Sequence, residues 1–386
     1  MKKSRIVIGE ILIFLAVSII FGILFQRVIM GFAGDYAYHN QIARMLFTSE
    51  WKGQDFLHIY AYPLYHIIIK SLAFVIRSYE LASIVIMTFC IIITALLYRR
   101  LFISICGVKN ELELILYDLI SIAFTVFMPV VSPLTDWKIY AGVCGPNPIH
   151  NPTYILMRPL GLITCILFVR FIDEFNSTNC RKNMFLCGLF IILTTVAKPS
   201  FSITYLPAMG IIVLINMIRK KELKIGITSG IMVLPALIIL LAQFLWTNAV
   251  SVSDAKMRIM FGSFSEFSLL EVIGVSLATF PIVLVLFDKE LLKSEDNYYI
   301  LSLIGLVFGW IEMFFFTNGP TGDFSWGYDM SVCFSCMISY AYAYKLARDE
   351  RKCIKRFGIA SAFLIYQVGV GVYYYWNIFC TLQFLM

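Results

Sequence analysis

Residues 6–40 read IVIGEILIFLAVSIIFGILFQRVIMGFAGDYAYHN, and this stretch decides the fold class. Between Ile6 and Phe25 the only charged side chain is Glu10. About 20 predominantly apolar residues are what a helix needs to cross a bilayer. Lys2, Lys3 and Arg5 precede the run, as in a signal peptide. The run is too long for one and lacks a small-residue cleavage site, so a retained first span is expected. Gly34-Asp35-Tyr36-Ala37-Tyr38-His39-Asn40 follows directly. A carboxylate at a membrane boundary is costly unless it faces a cavity or a partner, which makes Asp35 the first candidate for chemistry.

The rest of the 386 residues repeats the apolar pattern, with 60% hydrophobic and 14% charged side chains. Soluble domains carry about 25% charged residues. An all-α, polytopic transmembrane bundle is therefore expected, with residues 1–386 as one integral membrane domain. Candidate spans are 6–29, 81–98, 112–131, 154–172, 184–197, 201–218, 225–246, 269–287, 298–316, 326–347 and 357–376. A further apolar stretch, 57–76, carries His58, Pro63, His66 and Lys70 and reads as a re-entrant or juxtamembrane element lining a cavity.

Charge supports that choice. Basic residues cluster in the short loops at 99–109, 170–182, 219–224 and 345–356, which the positive-inside rule assigns to the cytoplasm. With eleven spans, the N-terminus inside and 57–76 not crossing, 21 of the 31 lysines and arginines lie inside. The net charge of +7 thus reflects membrane topology, and no nucleic-acid partner is expected. All four histidines (His39, His58, His66, His150) fall in the first two outward loops, 30–80 and 132–153. Six of the twelve prolines lie from Pro129 to Pro159, which points to a shaped second loop. The ten cysteines are scattered through apolar runs; Cys333 and Cys336 form the one close pair and read as buried small hydrophobes.

Three groups of residues could carry chemistry. In the first, a helix over Ala33–Phe47 would put Asp35 and His39 on one face, as a general base with its histidine or as a pair on a divalent ion. Asn40, Asp55, His58, Tyr62, Tyr65 and His66 surround it in sequence, and an interfacial aromatic belt is the plainer account of the tyrosines. In the second, Asn147, His150 and Asn151 are hemmed by Pro146, Pro148 and Pro152, able to orient a hydroxyl or phosphate oxygen, or to cap the next helix. In the third, Lys198-Pro199 sits at a tight turn between spans, where the ammonium could meet an anionic headgroup or snorkel to the surface. Arg158 is a second such cation, for which snorkelling is the favoured reading. Asp118, Glu312, Asp323 and Asp329, the last near Trp326, are weaker signals that helix–helix hydrogen bonding explains as well. No Walker loop, dinucleotide-binding glycine run or His-Glu-x-x-His helix is present.

Taken together, Gly34-Asp35-Tyr36 with His39, Tyr62-Pro63-Leu64-Tyr65, Asn147 to Thr153, and Lys198-Pro199 resemble the GT-C superfamily of polytopic glycosyltransferases. The resemblance covers about the first 200 residues. It implies a catalytic module over 1–218, followed by C-terminal helices over 219–386. It also implies a polyprenyl-phosphate-linked sugar as donor and a glycan or lipid acceptor on the outer face of a bacterial cytoplasmic membrane. On these positions Asp35 would be the base of an inverting displacement. Lys198 and Arg158 would stabilise the leaving phosphate. Asn147, His150 and Asn151 would orient sugar or acceptor, with His39, Asn40, His58, Tyr62 and His66 as further substrate-binding residues. The chain departs from the family's metal-dependent branches in lacking Asp-x-Asp, so no cofactor is expected. It also has no large extracytoplasmic C-terminal domain, which argues against a folded protein as acceptor. The competing readings are a polysaccharide polymerase, a secondary transporter or flippase, and a membrane acyltransferase. A transporter would be expected to repeat its polar residues near the midplane of two halves.

Overall fold

The computed structural model describes residues 2–31, 34–48, 62–131, 145, 147–250, 258–259, 261, 269–294, 296–317 and 323–381. It is a helical bundle. In chain order the helices are α1 (Lys2–Gly31), α2 (Asp35–Met45), α3 (Leu64–Ile76), α4 (Tyr79–Cys106), α5 (Glu111–Val126), α6 (Pro152–Asp173), α7 (Cys180–Ala197) and α8 (Pro199–Lys220). There follow α9 (Leu223–Leu245), α10 (Leu269–Thr279), α11 (Pro281–Leu286), α12 (Lys289–Lys293), α13 (Asn297–Phe315), α14 (Trp326–Asp349) and α15 (Ile354–Thr381). The only strands among the described residues are Arg258–Ile259 and Phe316–Thr317, paired antiparallel.

Among the described residues, eight helices are long and apolar enough to cross a membrane: the Glu10–Gly31 part of α1, then α4, α6, α7, α8, α9 with its π-helical extension to Asn248, α13 and α15. The chain is a polytopic membrane protein. Each of the eleven expected spans falls on helix, but three differ in form. The 112–131 stretch is helical only as the 16-residue α5, and 269–287 is broken at Phe280 into α10 and α11. Pro281 forces that break, because it has no N–H to donate and disfavours helical geometry in Phe280. The third is α14, whose residues Trp326 to Ala343 are all buried. A helix buried on every side belongs at the centre of a bundle, and α14 packs on α4, α8, α11 and α13. Within 57–76 the described residues carry the 13-residue α3, which ends at Arg77 in the left-handed region (φ 66°) and packs on α2 and α4.

Contacts between helix ends sort the bundle into two ends. At one, Arg348 at the end of α14 donates to the Cys106 carbonyl ending α4, to Glu113 Oε2 (3.1 Å) and to the Tyr117 hydroxyl (3.0 Å) on α5. Lys109 pairs with Asp349 (2.6 Å), and hydrogen bonds from Arg348 and Lys109 hold the Asp349 carboxyl well below the usual carboxylate range. Arg356 at the start of α15 reaches Asp288 (3.4 Å). This is the basic end. At the other end lie Asp35, the start of α6, the α7–α8 turn, the end of α13 and the start of α14.

Two glycines let α13, α14 and the start of α8 approach closely at that second end. A Cβ on Gly309 of α13 would stand 2.8 Å from the Tyr328 Cα of α14. A Cβ on Gly327 of α14 would collide with Glu312 and Thr204 and come within 2.8 Å of the Ser200 carbonyl. Small residues at such crossings are the usual means of tight packing in membranes, where lipid supplies no hydrophobic drive between helices. Gly327→Ala is accordingly expected to destabilise the protein by about 1–3 kcal/mol, the usual cost of overpacking. A lowered thermal midpoint in detergent would show it, whereas Gly210→Ala, with open space at its Cβ, should change little.

Candidate functional site

The site grows from the cap of α6. Pro152 occupies the first turn, where a missing N–H costs nothing, and Asn151 is the N-cap. The Asn151 Oδ1 accepts from the backbone N–H groups of Thr153 (3.0 Å) and Tyr154 (3.1 Å) and from the Thr153 hydroxyl (2.7 Å). Capping needs the oxygen turned inward, so the amide nitrogen must face outward. There it donates to Asp35 Oδ2 at 2.7 Å. Asp35 opens α2, and its side chain keeps 41% exposure, open to a reactant. His150 Nε2 stands 4.0 Å from the same oxygen.

Lys198 arrives from the other side. A residue before proline is pushed out of the helical region, so α7 must end there, and Lys198 is extended (φ −163°, ψ 121°). Its N–H bonds the Thr194 carbonyl (2.9 Å), and Pro199 begins α8. The side chain is 4% exposed, so it does not snorkel. Its ammonium donates to Thr153 Oγ1 (3.1 Å) and lies 5.3 Å from the Tyr62 ring centroid and 5.0 Å from that of Trp326. Aromatic faces attract a cation through the ring quadrupole. One hydrogen-bonded chain therefore joins carboxylate to ammonium: Asp35, Asn151, Thr153, Lys198.

Trp326 is the wall of this site. Its ring lies 5.5 Å from His150 and 5.0 Å from Tyr154. Below the lysine, Glu312 on α13 is 1% exposed and accepts from Thr204 on the first turns of α8. Sequence treats Glu312 and Trp326 as weak signals, since both come from the C-terminal half far from Asp35 in the chain. The usable signal was an acidic side chain inside an apolar run.

The remaining candidates divide. His39 Nδ1 lies 2.9 Å from His66 Nε2, so the two imidazoles hydrogen-bond between α2 and α3, while the imidazole close to Asp35 is His150. Asn40 Oδ1 accepts from Ser83 (2.5 Å) and Tyr65 (3.2 Å), and so pins α2 to α3 and α4. Asn147 is fully buried, donating to Tyr374 (2.8 Å) and accepting from the Ile149 N–H (3.0 Å), which ties the second loop to α15. Arg158 corrects the snorkelling expectation. It is 1% exposed, one turn beneath Tyr154, with the Thr125 carbonyl at 3.4 Å and Cys333 Sγ at 3.8 Å. Tyr154 and Trp326 thus lie between the two cations. Asp118 pairs with Arg99 near the basic end (2.5 Å), a structural role. His58, Asp55 and residues 132–144 lie outside the described residues.

Among the described residues no three His, Cys, Asp or Glu side chains converge to hold a metal ion. The described cysteines are unpaired thiols, and Cys333 and Cys336 are buried in α14. The chain matches no protein-family model and no curated protein. Function has to be argued from the site itself.

Proposed function

We propose that this protein is a membrane glycosyltransferase that moves a sugar from a polyprenyl-phosphate-linked donor to a glycan or lipid acceptor. The observation that carries the reading is the Asp35–Asn151–Thr153–Lys198 chain. It brings a half-exposed carboxylate and a buried cation, more than 160 residues apart in sequence, to one mouth of the bundle. Transfer from a phosphate-linked sugar needs that pairing: a base for the incoming hydroxyl and a fixed positive charge for the departing phosphate.

In the reaction, Asp35 takes the proton of the acceptor hydroxyl, whose oxygen attacks the anomeric carbon. The bond from that carbon to the phosphate oxygen breaks, and polyprenyl phosphate leaves with the bonding pair toward Lys198. The Asn151 amide fixes the Asp35 carboxylate in one orientation and leaves its second oxygen for the acceptor. His150 and Tyr62 flank the space between. The basic end faces the cytoplasm by the positive-inside rule, which puts the site on the outer face. The polymerase reading shares this donor chemistry and differs only in whether transfer repeats on one acceptor.

A single displacement inverts the anomeric centre. Nuclear magnetic resonance of the product formed from a donor of known anomeric configuration is expected to show inversion. Retention, or hydrolysis without transfer, would contradict the reading.

A further inference from the structure

Glu312 is the part of this site that the proposed reaction leaves unused. It is 1% exposed at the end of α13. The Oε2 atom accepts from Thr204. The Oε1 atom is buried with no hydrogen-bond partner. Ionised carboxylates in such surroundings normally use both oxygens, while a proton on Oε1 would displace no existing bond. Gly327 gives up its side chain to make room for this group. The Ser200 carbonyl, two residues after Lys198, lies against the same Gly327, so the carboxyl packs beside the segment that presents the lysine.

Among the described residues Lys198 is a cation close to Glu312, since Gly327 packs against both the carboxyl and the Ser200 carbonyl. From α14, Asp329 is a second buried carboxyl, with Arg158 on α6 as a counter-charge. Tyr154 of α6 stacks on Trp326, Ser325 of the turn before α14 is uncharged, and α12 packs at the opposite end of α13. Glu312 and a phosphate bound at the mouth would thus be two anions acting on Lys198.

We propose that these two anions compete, so that binding of a phosphate group at Lys198 is coupled to uptake of a proton by Glu312. The argument is linkage. An anion that draws the field of Lys198 to itself leaves Glu312 as a buried charge without a counter-ion, and such a group takes a proton. By reciprocity, protonating Glu312 strengthens anion binding, and its deprotonation helps expel polyprenyl phosphate after transfer. Glu312 is then a positioning residue that sets product release. This rests on the phosphate-site reading of Lys198.

The test uses the full chain in detergent and a short prenyl sulfate, whose charge is constant between pH 5.5 and 8. Wild type is expected to bind it more tightly as pH falls, by up to about tenfold per unit for one linked proton. In Glu312→Gln affinity should be at least that of wild type at low pH, with this dependence removed. His150 and the His39–His66 pair are the other imidazoles near the site; any share of theirs stays in Glu312→Gln, and the share of His150 alone goes in the added variant His150→Gln. Thr204→Val keeps the carboxyl but removes a hydrogen bond to its ionised form, so its midpoint should move to higher pH. Equal pH slopes in wild type and Glu312→Gln, or an unmoved midpoint in Thr204→Val should Glu312→Gln not fold, would overturn the coupling while leaving the phosphate site standing. No binding by wild type at any pH would overturn both.

Discussion

Asp35→Asn is expected to lower turnover by roughly 10²–10⁴, the usual contribution of a positioned general base. The substitution is nearly isosteric, and the oxygen that accepts from Asn151 can be kept by a carboxamide. What it removes is the proton acceptor. Asp35 opens α2 at a half-exposed position, so the fold should survive the change; the contacts that hold α2 to α3 and α4 include those of Asn40 and His39, which the change leaves in place. The KM for the lipid-linked donor should therefore stay within about threefold while kcat falls, because an interaction made only in the transition state has been lost. Steady-state rates of polyprenyl phosphate release, with the thermal midpoint as control, measure this split. A variant that loses donor affinity but keeps turnover would assign Asp35 to binding.

Lys198→Met is the second large effect, with a fall of about 10²–10³ in kcat for loss of one preorganised charge at the leaving group. Methionine keeps the apolar stem that packs between Tyr62 and Trp326. Arginine is the informative companion. It restores the charge but brings a planar fork into a space shaped for a compact ammonium, so it should recover activity only in part. Rates for wild type, Lys198→Met and Lys198→Arg with one donor give the comparison, and full activity in Lys198→Met would remove the lysine from the phosphate step.

Much of the architecture is legible in the sequence because hydropathy reports it directly. All eleven apolar runs carry helix, though 112–131 only as far as Val126 and 269–287 in two pieces, and the described part of 57–76 carries a helix of 13 residues. Hydropathy is blind to which helix sits in the middle. Tyr, Ser and Cys recur along α14 because it touches protein on every side, yet in sequence it looks like a mediocre span.

The site was legible where backbone chemistry forces a side chain's hand. Asn151 before Pro152 announces an N-cap, and Lys198 before Pro199 announces a helix break; each fixes a candidate side chain at one end of the bundle. The pairings were not legible. His39 sits one helical turn from Asp35 but bonds His66, while His150 stands beside the carboxylate from 115 positions away. Arg158 follows Tyr154 by one turn and so points deeper into the bundle, where its interactions involve Cys333 and Asp329. Asn40 and Asn147 carry the composition of binding residues, yet their hydrogen bonds are spent joining elements. Periodicity gives the face of a helix, and only packing says what that face meets.

The most direct measurement follows donor and product together. The full chain in nanodiscs, given a panel of polyprenyl-phosphate-linked sugars and an acceptor extract, is expected to release polyprenyl phosphate from at least one donor. One sugar should appear on the acceptor for each phosphate lipid released. Intact donor moved across a sealed bilayer with no phosphate lipid released, or no donor consumed at all, would contradict the account.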